Sequence, residues 1–134
     1  MSTMKHITVP ILQLDVPNKN GRVYPTSAAE DMIRTIEENP AQHGRVFGQI
    51  GMPEGTSVDL SKVSHSAGNL RIIDGKVFAD IVVLETPAGQ IAKELLKTPN
   101  HGYTFRTSGI GKVSEDGVVF DYCLISVSLV RDGA

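Results

Sequence analysis

Four histidines, His6, His43, His65 and His101, are the side chains of this sequence best suited to moving a proton near neutral pH. No two of them stand four residues apart, the helical spacing that turns two imidazoles onto one zinc ion. The single cysteine, Cys123, allows neither an internal disulfide nor a cysteine-based zinc site. Its place in the apolar run Tyr122 to Leu129 predicts a buried, inert thiol. His65 sits in Val63-Ser64-His65-Ser66 on a predicted strand, where a structural imidazole satisfied by its neighbours competes with a base. Ser108-Gly109-Ile110-Gly111-Lys112 has the glycines of a phosphate loop without the Walker spacing, and it does not lead into a helix. Gly109 and Gly111 there predict a bulge or a close backbone approach within a strand. No Gly-x-Ser-x-Gly elbow occurs, and no pair of carboxylates offers itself as acid and base. These residues alone assign no reaction, and they call for no metal or cofactor.

The elements that would position such residues are legible from the spacing. Ile7 to Leu14 predicts a strand, at an edge or bulged where Pro10 cannot donate to a ladder. Ser27-Ala28-Ala29-Glu30 has the capping-box pattern, and Ala29, Met32, Ile33 and Ile36 form one helical stripe closed by Asn39-Pro40. A second helix is predicted from Thr86 as N-cap and Pro87 at the first position, with a core-facing stripe of Ala88, Ile91, Ala92, Leu95 and Leu96. Arg45 to Ile50, Val63 to Ile73, Lys76 to Ile81, Gly102 to Val113 and Val118 to Val130 read as strands, with Asp74-Gly75 as a two-residue hairpin turn. Six or seven strands and two helices without βαβ alternation predict an α+β architecture: a mostly antiparallel sheet, or a partly closed barrel, with the helices against it.

The 134 residues suit one domain spanning 1–134. A net charge of −2 and a pI near 6.0 give no general attraction to nucleic acid or to an anionic membrane. The longest apolar run, Ile81 to Leu84, is far shorter than a membrane span, and the first residues carry no secretory pattern. These features predict a cytoplasmic protein that binds neither nucleic acid nor membrane.

One segment says more. Asn18-Lys19-Asn20-Gly21-Arg22-Val23-Tyr24-Pro25 resembles the Asn-x-Asn-x-Arg-x-Tyr-Pro signature of the prohead core protein proteases of tailed bacteriophages. The family order continues through a helix, Gly48 to Glu54, Asp59 to His65, a hairpin, Thr86-Pro87-Ala88-Gly89 opening a helix, a glycine-rich strand at Gly102 to Gly111, and Leu129 to Asp132. The resemblance covers residues 7 to 132. It implies a fold similar to the herpesvirus assemblins, a β-barrel surrounded by helices, and cleavage of scaffold and capsid precursors inside the immature head.

The family's reacting residues do not carry over. Its general base is a His before Pro, and here Met52 stands before Pro53. A thioether cannot take a proton from a hydroxyl. Counting from Gly102 puts Thr104 at the nucleophile, followed by Phe105 and Arg106; counting back from Gly109-Ile110-Gly111 puts Arg106 there, with Ser108 at the family's Arg. The resemblance therefore implies a degenerate homologue that keeps a head-protein contact, through Phe105 and Arg106 of the former cleft. Its partners would be the major capsid or scaffold protein, or a sister protease, and self-association is compatible with this. It would reside in the prohead or virion head, assembled in the host cytoplasm. The competing expectation is an active protease using Thr104 or Ser108, with His65 or His101 recruited as base.

Overall fold

The computed structural model describes residues 6–39, 44–55 and 57–131. Pro40, expected to close the first helix, lies outside them, as do His43 and Asp132. Among the described residues the order is β1 (His6–Gln13), α1 (Thr26–Glu38), β2 (Arg45–Gln49), β3 (Val63–Ile73), β4 (Lys76–Val83), α2 (Pro87–Lys97), β5 (Tyr103–Val113) and β6 (Val119–Arg131). A short 3₁₀ turn, Leu60–Lys62, precedes β3. The architecture is α+β with antiparallel strands, as the spacing predicts.

Four strands form a sheet in the order β1-β4-β3-β2, and β5 and β6 form a separate two-stranded ribbon. β1 takes the outside of its sheet and slips register between Pro10 and Leu12, so the proline is both at an edge and bulged. The β3–β4 hairpin turns on Asp74 and Gly75, both at positive φ (49° and 76°), as a tight two-residue turn requires. β4 alternates: Val77, Ala79, Ile81 and Val83 are buried, while the residues between them are not. The ribbon joins the sheet at the free side of β2, by a parallel bridge from Ile50 to Leu129 and a bond from Gly51 N to Leu129 O of 2.8 Å. Among the described residues the far side carries no such pairing between β1 and β5, so the sheets do not close into a barrel.

On the outer face of the sheet one row reads Thr8, Asp80, Gly68, Arg45. Arg45 lies across Gly68, where no side chain obstructs it, and donates to Ser66 Oγ at 2.9 Å. The Asp80 carboxylate accepts from Asn69 (2.9 Å), Thr8 (2.8 Å) and Arg71 (3.1 Å). Those bonds hold it below the usual carboxylate range, at about 2, the Asn69 and Thr8 bonds foremost.

α1 buries Ala28, Ala29, Met32 and Ile36 in the core. Covering Met32 and Ile36 alone contributes roughly 1.5–3 kcal/mol each. The capping box expected at Ser27 does not form. The helix starts two residues earlier, with Pro25 at the N-cap position, and Asp15 supplies the cap from outside: its carboxylate accepts from Thr26 N (3.2 Å) and Thr26 Oγ1 (2.9 Å). A bond from Asp15 N to Tyr24 O (2.8 Å) brings that carboxylate to the first turn and leaves Ser27 inside it.

In α2 the predicted cap holds, with Gly89 N donating to Thr86 Oγ1 at 2.9 Å. Its stripe is only partly core-facing. Gly89 and Ala92 are buried, whereas Ile91 is exposed. α2 rests on β3 and β4 through Gly89, set against the Leu84 and Ser64 carbonyls, and that contact turns Ile91 outward. Cys123 is also exposed, not buried. A bulge at Asp121 (φ 51°) shifts the alternation, so Tyr122 points inward and Cys123 outward.

Candidate functional site

β2, β3 and β6 converge on His65. In the β2–β3 ladder Gly48 pairs with His65 and Gln49 with Val63, so Ser64 is the extra residue of a bulge. Freed from the ladder, Ser64 turns its hydroxyl onto the neighbouring ring, 2.6 Å from Nδ1. His65 Nε2 lies 2.6 Å from Val127 O on β6. A carbonyl only accepts, so Nε2 carries the proton and Nδ1 accepts from Ser64. Both ring nitrogens are thereby used. A Cβ on Gly48 would run into the His65 ring and the Val127 carbonyl, so this junction requires glycine there.

Ser64 and His65 have no exposed surface. Burial lowers the imidazole from 6.5 to about 4, against a smaller opposing contribution from the Val127 bond. The ring is neutral at pH 7. Phe105 of β5 meets it edge to face, centroids 5.1 Å apart and planes at 82°.

Phe105 fixes which way the rest of β5 points. Pairing from Tyr103–Arg131 to Ser108–Ser126 is regular, so side chains alternate across the ribbon. Thr104, Arg106 and Ser108 therefore lie on the face opposite Phe105 and His65. Their cross-strand partners on that face are Val130, Ser128 and Ser126. Thr104, Arg106 and Ser108 are half-buried, whereas Ser126 and Ser128 are covered completely. Ser126 Oγ donates to Phe47 O at 3.0 Å, while Ser128 Oγ is buried without a hydrogen-bond partner.

Met52 follows Gly51 directly beyond the bridge to Leu129, and Leu129 pairs on its other side with Phe105. The segments carrying Met52 and Thr104 thus flank β6 from opposite sides, their strands on the order of 10 Å apart. Met52 is 51% exposed and does not fill a core. His101 sits ahead of β5, its Nδ1 accepting from Tyr103 N at 3.0 Å and its ring tilted over Tyr103. Among the described residues no cluster of His, Cys, Asp or Glu could hold a metal ion, and no helix is long and apolar enough to cross a membrane.

No protein-family profile and no curated protein matches the chain. A solved structure does, the capsid assembly protease gp21 of bacteriophage T4, with a TM-score of 0.78 at 19% identity. The match covers 93% of this chain and 80% of that one. The fold is phage prohead-protease-like.

The sequence residues that such a fold brings together divide into two groups. His65 and Phe105 meet on the inner face of the ribbon. Thr104, Arg106 and Ser108 share the outer face of β5, and Met52 borders β6, on the far side from them, in the loop after β2. His101 stays with its own chain neighbours. Sequence reasoning passed over Gly48, Ser126 and Ser128. The glycine's role depends on a third strand that no local pattern announces. The serines lie in Ile125-Ser126-Val127-Ser128-Leu129, a strict alternation that marks a polar face.

The signature Asn18 to Pro25 has a structural use. Asn18 Oδ1 accepts from Asn20 N (2.9 Å) and Arg22 N (3.0 Å), and Val23 clips the end of the ribbon by bonds with Gly117 and Val119. Tyr24 then packs edge to face on Tyr122, 5.3 Å between centroids. Burial raises the Tyr122 hydroxyl to about 12.

Proposed function

We propose that this chain is a degenerate relative of the prohead proteases that serves phage head assembly by binding head proteins rather than by cutting them. The observation that carries the reading is the division of β5. The hydroxyl at the nucleophile position, Thr104, faces away from the His65 imidazole, whose two nitrogens are already bonded to Ser64 and Val127. Hydrolysis by a hydroxyl needs a base within hydrogen-bond reach on the hydroxyl's own side. Losing that member of a triad costs roughly 10⁴-fold or more in turnover. An exposed Met52 where the resemblance expects a histidine supports the same reading.

The partner in this reading is the major capsid or scaffold protein, met through the outer face that carries Arg106, and the place is the prohead or the finished head. A shell-associated role is favoured over a core component or a regulator of a sister protease. Quantitative mass spectrometry of purified virions tests this, since a shell component remains in fixed ratio to the major capsid protein. Absence from virions would move the role to the assembly stage.

Proteolysis is tested separately by incubating the chain, and its Thr104→Ala/Ser108→Ala variant, with capsid and scaffold precursors. The expected result is no cleavage by either protein. Cleavage lost in the variant would overturn the degenerate reading in favour of an active hydroxyl protease.

A further inference from the structure

β3 outruns its neighbour. It continues past Gly68 to Ile73, whereas β2 begins only at Arg45, opposite Gly68 and behind Gly44 at a φ of 76°. β4 pairs with one side of Arg71, Ile72 and Ile73, and among the described residues no strand pairs with the other side. The two-residue turn makes Ile73 and Lys76 a hydrogen-bonded pair, so Ile72, one residue before, turns its N–H and C=O to the open side. Such an edge is a template for another strand. β1, at the far side of the same sheet, is guarded by Pro10 and a bulge, and Ile72 has neither beside it on the open side.

The surroundings of this edge determine what fits it. Inward, between the edge and α1, lies a cavity of about 230 Å³ walled by Ile33, Ile36 and Leu70. Small-molecule sites run to roughly 300–1,000 Å³, so this one suits a single apolar side chain. Glu37, which also lines it, disfavours a carboxylate there. Outward, Arg45 and Arg71 stand on one face of the sheet, in the rows of Gly68 and Phe78. The carboxylate beside them, Asp80, already accepts from Thr8, Asn69 and Arg71. Arg45 donates only to neutral acceptors, Ser66 Oγ and the Ser66 and Asp80 carbonyls, and among the described residues no carboxylate pairs with it. This face therefore holds one positive charge more than it balances. A strand laid along β3 turns successive side chains inward and outward, so its residue opposite Leu70 meets the cavity and the next one, opposite Arg71, meets the arginines.

We propose that the open edge of β3 at Ile72 is a docking site for an extended segment of another protein in which apolar and acidic residues alternate. The apolar side chain enters the cavity beside Leu70, and the acidic one faces Arg45 and Arg71. The site is separate from the outer face of β5 and does not depend on whether Thr104 retains any chemistry.

The probe is a fluorescent peptide of alternating valine and aspartate, added to the whole purified chain. Its anisotropy should saturate below about 1 mM. The same peptide with lysine for aspartate should bind at least tenfold more weakly. So should one N-methylated at alternate residues to remove the donors that face β3, a change that leaves the protein untouched. Arg45→Gln should weaken binding roughly tenfold. Hydrogen exchange at the Ile72 amide should slow when the peptide is bound. Absence of saturation, or binding indifferent to N-methylation or to Arg45→Gln, overturns the proposal. So does protection that appears on β5 instead of β3, since the peptide would then belong to the face that carries Arg106.

Discussion

The two faces of the ribbon between residues 104 and 108 are built from neighbouring positions and differ in almost every physical respect. Inward, Phe105 meets a buried histidine whose two nitrogens are both bonded, in a junction with no room for a methyl group at Gly48. Outward, Thr104, Arg106 and Ser108 are half-buried over two covered serines, one of them unpaired. The inward face has an imidazole and a hydroxyl in contact, the ingredients of a hydrolytic pair, yet no surface through which a substrate could reach them. The outward face has access and hydroxyls, while the His65 imidazole lies on the other side of the strand. A histidine's chemistry is therefore set by which side of a strand it faces and by what already occupies its nitrogens.

The sharpest way to break the inward face is Gly48→Ala. Its Cβ would collide with backbone on β6 as well as with the His65 ring, and backbone cannot step aside as a flexible side chain can. The expected loss is about 3 kcal/mol or more, and failure to fold is within that expectation. Chemical denaturation measures it. A loss below about 1 kcal/mol would mean that the three strands are not locked together at this point.

His65→Ala comes next, with an expected cost of about 3 kcal/mol from a cavity and two orphaned partners, Ser64 and the Val127 carbonyl. The same residue sets a pH dependence. Its folded value of about 4 lies below its ordinary 6.5, so the unfolded chain takes up the proton first. This contribution, roughly 3 kcal/mol, is complete above pH 6.5 and is lost as the pH falls from there to about 4. Asp80 acts in a separate window: its stabilisation is present above 3.8 and disappears as the pH falls toward 2. Stability measured against pH for His65→Gln, which keeps a donor and an acceptor without titrating, should lose the upper slope and keep the lower one. An unchanged upper slope would place that titration on another residue.

Much of this comparison was legible before any coordinates, and the part that was not has a common cause. Element boundaries followed from local signals: Asp74-Gly75 for a hairpin, Thr86-Pro87 for a helix start, Pro10 for an edge. Three expectations failed where a distant segment or a bulge overrode the local pattern. Asp15, eleven residues before Thr26, caps α1 in place of Ser27. The Asp121 bulge turns Cys123 outward. The packing of Gly89 on two carbonyls exposes Ile91. His65, Thr104, Phe105, Arg106 and Ser108 lie on strands read from the sequence, but which face each occupies was unreadable. That depended on Ser64 bulging out of the β2–β3 ladder, and a slip of one residue reverses every side chain beyond it.

On the outward face the informative change is small and has the opposite sign. Ser128 Oγ is buried with no partner, so it carries a desolvation cost that nothing offsets. Ser128→Ala should stabilise the chain by about 1 kcal/mol, read as a higher denaturation midpoint with unchanged slope. A loss of stability would show that the hydroxyl has a partner after all, and the contrast between a saturated inner face and an unsaturated outer one would weaken.

Met52→His is the smallest expected effect and tests the border between the two faces. Had Met52 become part of the core in place of a catalytic histidine, restoring the histidine would uncover packing and cost stability. At 51% exposure it buries too little for that, and its neighbour Gly51 is held to Leu129 through the backbone, which the substitution leaves intact. The melting temperature should stay within the shift produced by about 0.5 kcal/mol. It should not rise, since a half-exposed imidazole gains no buried partner there. A clear increase would mean that the loop after β2 still offers a histidine a bonding site, and that the outer face of β5 is nearer to a working arrangement than its present residues suggest.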